Sequence, residues 1–119
     1  MVSRVQHRTQ PTTQPRVRSA YELAREQLGR NAADLKVDNT AVGRAMHDGI
    51  PNNVNCANFV SGCLEASGQL NASQHSDSAQ GLSDNLARDP NFEQVSLRNA
   101  KPGDVVLFNT GEGHHIVMF

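Results

Sequence analysis

The spacing of the apolar residues changes at Lys101, and that change limits what the chain can fold into. Before it they recur at helical intervals. After it, "DVVLF" and "HHIVMF" are two runs of β-forming residues, with Pro102 and Gly103 as turn positions ahead of the first and "NTGEG", of hairpin length, between them. Helices followed by an antiparallel hairpin predict the α+β class, N-terminal helices packed on a small antiparallel sheet.

Four helices are expected. Ser19 and Glu22 have capping-box spacing, and Tyr21, Ala24 and Leu28 form a stripe that Gly29 stops, which gives a helix over 20–29. A short second helix follows Asp38 or Asn39 as cap, with Val42, Ala45 and Met46 as its stripe and Gly49 and Pro51 as terminators. The third has Asn53 or Asn55 as N-cap, Cys56, Phe59, Val60, Cys63 and Leu64 at i, i+3, i+4, i+7 and i+8, and Gly68 at its end. The fourth takes its cap from Ser76 to Ser78, shows Ala79, Leu82 and Leu86, and breaks at Asp89-Pro90.

A length of 119 residues suits one domain, and an aromatic share of 4% without Trp means a core of Val, Leu, Ala and a few Phe. Residues 1–18 carry four Arg and no acid, while the rest carries 7 basic against 12 acidic residues. Rich in Gln, Thr and Pro and without apolar periodicity, 1–18 reads as a disordered basic arm, and 19–119 as the folded domain. Four dispersed arginines fall short of a polybasic patch, so nucleic acid is not an expected partner. Neither the h-region of a secretory signal nor a run of about 18 apolar residues occurs, which predicts synthesis as a soluble cytoplasmic chain with no membrane span.

The two cysteines, Cys56 and Cys63, would sit roughly 10 Å apart on one helix at 1.5 Å rise per residue, too far for a disulfide. Free thiols fit a reducing compartment. A cysteine in a helix's first turn meets unpaired N–H groups and the positive end of the macrodipole, which favour a thiolate; Cys56 is so placed and Cys63, two turns further in, reads as core. A nucleophilic thiol also needs a base, usually His. His7 falls in the arm, and His47 and His75 lie among polar residues like ordinary surface histidines, whereas His114 and His115 open a strand expected at the centre of the sheet, against the third helix. Adjacent strand residues face opposite sides, so only one of the pair can look at the helix, and alternation alone leaves the choice open. No C-x-x-C or H-x-x-x-H spacing occurs, so neither a metal site nor a cofactor is expected.

A helix opening "NCANFVS", then "KPGDVVLF", then "HHIVMF" resembles the NlpC-type cell-wall peptidases and the related cysteine- and histidine-dependent amidohydrolase (CHAP) group, papain-like cysteine hydrolases. The resemblance covers about residues 20–119 and rests on three short motifs in order. It implies Cys56 as nucleophile and His115 as base, with His114 as the alternative. Asn55 stands where the family has Asp, as cap beside the oxyanion amides, and Pro102, Gly103 and Asp104 form a structural turn. It also implies hydrolysis of peptide or amide bonds in peptidoglycan stem peptides, and a route to the wall by phage lysis or dedicated secretion. The family's residue that orients the base comes from the strand after the His strand, beyond Phe119. On that expectation the sheet is incomplete at the C-terminus, the domain lacks its last strands, and the edge 114–119 is open to self-association or a partner chain. The alternative expectation is therefore an inactive domain acting as an interaction module by strand addition.

Overall fold

The computed structural model describes residues 2–5, 19–51, 55–110 and 113–119, without the side chains of Val5, Asn109, Thr110 and His114. It is an α+β fold. Five helices, α1 (Ala20–Arg25), α2 (Ala32–Val37), α3 (Ala41–Ala45), α4 (Cys56–Ala66) and α5 (Ala79–Arg88), accompany four strands, β1 (Val2–Val5), β2 (Phe92–Val95), β3 (Val105–Thr110) and β4 (Gly113–Met118). The sheet is antiparallel throughout, in the order β2-β1-β3-β4. No helix among the described residues is long and apolar enough to cross a membrane.

The helices start where short polar side chains can take the first free N–H groups. Ser19, Asn31, Thr40 and Ser78 each accept from the backbone three residues on, at 3.0–3.2 Å. For α3 the cap is Thr40, not Asp38 or Asn39. Asp38 serves one step earlier: it accepts from the Thr40 hydroxyl at 2.6 Å and the Thr40 N–H at 2.9 Å, and these bonds hold its carboxyl below the ordinary range. The expected helix over 20–29 ends at Arg25, its last residues forming turns that close on Gly29 at φ +83°. Its buried residues are Ala20 and Leu23. The stripe Tyr21, Ala24, Leu28 instead walls an open cavity, and Leu28 is 78% exposed.

The core gathers Val60, Cys63 and Leu64 of α4, Leu82 and Leu86 of α5, and Val105, Leu107 and Ile116 of the hairpin. Leu64, Leu82 and Leu86 are almost wholly removed from solvent, and burial of each such side chain is worth about 1.5–3 kcal/mol. Gly62 lets α3 lie close on α4, since a Cβ there would come within 3.0 Å of Met46 Cγ and 3.2 Å of the Val42 carbonyl oxygen.

Three expectations are corrected. Residues 2–5 are not a disordered arm but a strand inside the sheet, with Val2 opposite Val95 on one side and Val106 on the other; residues 6–18 lie outside the described residues. The strand is held because Val2 and Val106 bury each other's neighbourhood at 2% exposure and because Arg4 reaches Asp104. α2 and β2 were not anticipated, being a turn-and-a-half helix and a four-residue strand too short for a period to show. Finally, β4 is the last strand of the sheet, not a central one: among the described strands it pairs with β3 alone.

Candidate active site

Cys56 is the first residue of α4, an 11-residue helix, and it is half-buried. The sequence places it there because Phe59, Val60 and Cys63 must turn inward, which fixes the phase of the helix and leaves Cys56 at the rim of the core. Asn55 occupies the N-cap position but makes no side-chain cap bond. Its amide donates to the Pro51 carbonyl and its oxygen accepts from Asn58 Nδ2 at 2.9 Å. The expected cap is thus corrected: Asn58, one turn on and fully buried, needs the acceptor more than the helix end does. The first-turn amides of α4 therefore receive no cap bond from the Asn55 side chain, an arrangement suited to a developing negative charge. Asn53, the other expected cap, lies outside the described residues.

A cavity of about 430 Å³ opens beside Cys56, walled by Tyr21, Ala24, Leu28 and Phe59, by β4 from His115 to Met118, and by Phe119 after it. Consecutive β4 residues line it because it runs along the edge of that strand that pairs with no other described strand. Cys56 and His115 share this cavity. His115 is exposed and stands opposite Phe108 in the register, while Ile116 and Met118, on the alternate face, belong to the core. Among the described residues no hydrogen bond joins Cys56 to His115. The side chain of His114 lies outside the described residues; by strand alternation its position shares the parity of Ile116.

The Pro102-Gly103-Asp104 turn leads into β3, with Gly103 at φ +96°, a conformation that favours glycine. The Asp104 side chain, 4% exposed, accepts from the Lys101 N–H at 2.8 Å and from Arg4 Nε and Nη2 at 3.0 and 2.9 Å. The turn is closed by Phe119, whose N–H donates to the Asp104 carbonyl at 2.7 Å and whose carbonyl accepts from Gly103 at 2.8 Å. Asp104 thus ties β1 to the start of the hairpin that carries His115.

Cys63 is buried, and burial pushes its thiol up from 9.0 to about 12. Such a shift cuts the thiolate at a given pH by on the order of 10³. Iodoacetamide applied to the native protein near pH 8 is expected to modify Cys56 and spare Cys63, as read by peptide mass spectrometry; equal labelling of both in the folded chain would contradict the placement.

His47 and His75 are not the ordinary surface residues expected from their polar neighbours. The His75 side chain is 1% exposed and pairs through Nδ1 with Glu65, and His47 stacks on it with ring centroids 3.8 Å apart. With Asp77 they form a cluster of potential metal ligands from separate segments, which no motif spacing could reveal. Comparison with family models, with curated proteins and with solved structures finds no match for the chain.

Proposed function

We propose that the protein is a cysteine-dependent hydrolase of peptide or amide bonds in bacterial peptidoglycan stem peptides, reached after phage lysis or dedicated secretion. The observation that carries this reading is the cavity shared by Cys56, at the head of α4, and His115, on the strand that borders it. In this mechanism the histidine takes the thiol proton and Cys56 sulfur attacks the carbonyl carbon, while the N-terminal amides of α4 receive the oxyanion. Collapse of the tetrahedral species expels the amine, which leaves with the proton held by the histidine, and forms a thioester. Water, deprotonated by the same histidine, then splits the thioester and regenerates the thiol. The apolar walls of Tyr21, Ala24 and Phe59 offer room for a stem-peptide side chain. The test is release of peptide from purified peptidoglycan, present with the native chain and absent with Cys56→Ala.

A second reading rests on the open edge of β4 and its apolar surroundings. A strand from a second copy or a partner would complete the ladder at 114–119 without catalysis. It predicts self-association rising with concentration in sedimentation velocity, reversed by Phe119→Lys, which sets a charge on the exposed edge. A chain that stays monomeric at high concentration and hydrolyses stem peptide would exclude it.

A further inference from the structure

We propose that His47, His75 and Asp77 form a binding site for a divalent transition-metal ion of the Zn²⁺ type, separate from the Cys56 cavity and independent of the hydrolase reading. The potential ligand atoms of the three residues all lie within 4.8 Å of one another. His75 Nε2 is 3.1 Å from Asp77 Oδ1, and His47 Nδ1 is 2.9 Å from Asp77 Oδ2. Two ligands on one tetrahedral zinc, each at about 2.0–2.1 Å, stand roughly 3.3 Å apart, so each histidine is already at ligand spacing from the Asp77 carboxylate, while the set as a whole, within 4.8 Å, would draw together on an ion.

The surroundings argue for a built site rather than a chance meeting of polar groups. His75 is buried, and its Nδ1 is engaged by the Glu65 carboxylate. That is the usual arrangement around a metal-bound imidazole, in which an outer carboxylate fixes the tautomer and directs the other nitrogen at the ion. The directed nitrogen, Nε2, lies near two oxygen atoms, Asp77 Oδ1 and Asn58 Oδ1, the latter at 2.9 Å. A cation held there would replace the imidazole proton and balance the Asp77 charge.

The ligands are also held from behind. Asn58 Oδ1 accepts from the His47 N–H at 2.8 Å, and Asn58 Nδ2 donates to the His47 carbonyl at 2.9 Å. Ser61 exchanges hydrogen bonds with the backbone of Ser76, fixing the segment between His75 and Asp77. Asn58, Ser61 and Glu65 follow one another at helical spacing, so one face of α4 supports the whole cluster. Two imidazoles and a carboxylate suit a borderline ion such as Zn²⁺ over Ca²⁺ or Mg²⁺, which prefer all-oxygen shells. The His47 side chain is 52% exposed, so solvent can reach a fourth position, and binding would draw the ring from its stacked pose toward the ion.

The test is isothermal titration calorimetry of the chelator-treated full chain with ZnCl₂, with circular dichroism on each variant to confirm folding. One-to-one saturable binding is expected. It should weaken at least about 10-fold in H47A and in D77N, and about 10–100-fold in E65Q, and remain unchanged in C56A. Co²⁺ in place of zinc should give a spectrum without thiolate charge transfer. Absence of saturable binding, native affinity in H47A and D77N, or binding that disappears in C56A would overturn the site. Peptidoglycan turnover enters none of these readouts, so failure of the hydrolase reading leaves them intact.

Discussion

Removal of residues 1–5 is expected to abolish the cooperative thermal transition of the protein. β1 lies between β2 and β3, so its loss leaves β2 without a partner among the described strands and takes from β3 one of its two. It also exposes the surface that Val2 and Val106 remove from solvent, and it withdraws Arg4 from Asp104 and from the Asn99 carbonyl, to which Arg4 Nη2 donates at 2.8 Å. Asp104 would remain in its buried place with the Lys101 N–H as its side-chain donor among the described residues, and a buried carboxylate that loses its cation is strongly destabilising. A domain of this size holds only about 5–15 kcal/mol in reserve, so losing an inner strand and orphaning a carboxylate together exceed what it can absorb. Far-UV circular dichroism against temperature is the measurement. A shortened chain that melts cooperatively at the native midpoint would show that β1 is dispensable. Arg4→Gln, which keeps the strand, should give an intermediate shift and so divides the ion pair's share from the ladder's.

The reasons β1 escaped the sequence reading are physical. "VSRV" offers two apolar positions followed by Arg, Gln, Thr and Pro, a composition that signals disorder. What makes it a strand is Asp104 and Val106, a hundred residues away, and tertiary pairing overrides local preference. β2 escaped for the same reason, since Phe92 is its one fully inward residue. By contrast α4 and α5 carry stripes of two and more turns whose burial any fold must satisfy, and the hairpin carries runs of β-branched residues with a turn between them. Those elements were legible.

The candidate site divides along the same line. Cys56 was legible because its position follows from the phase of α4. His75 was not, because "SQHSDS" looks like surface, and its ring is enclosed by Glu65 and Asn58 of α4, by Asp77 and by the stacked His47, none of which the local sequence announces. The edge position of β4 follows from the resemblance, which leaves 114–119 open, whereas the run of β-formers alone puts that strand at the centre of the sheet. Its consequence reaches the chemistry: an edge strand presents residues of both faces to one cavity, so burial parity, which would choose between His114 and His115 in a central strand, does not choose here.

Kinetics can make that choice. With purified peptidoglycan as substrate, Cys56→Ala is expected to lower turnover by on the order of 10⁴-fold or more, because a methyl group can neither form the thioester nor be replaced in that role by Cys63, which is buried in the core. Cys63→Ala should leave turnover close to native in whatever fraction remains folded. If His115 is the base, His115→Ala loses activity on the scale of Cys56→Ala and the double variant loses little more, since residues acting as one unit are not additive; His114→Ala then stays within about 10-fold of native. The reverse ranking moves the base to His114, at the strand position that shares the parity of Ile116, and requires β4 to present its core-side face to the thiol. Full turnover in Cys56→Ala removes the hydrolase reading altogether. It would leave the Cys56 cavity as an apolar groove along an unpaired strand, whose properties are then those of a docking edge.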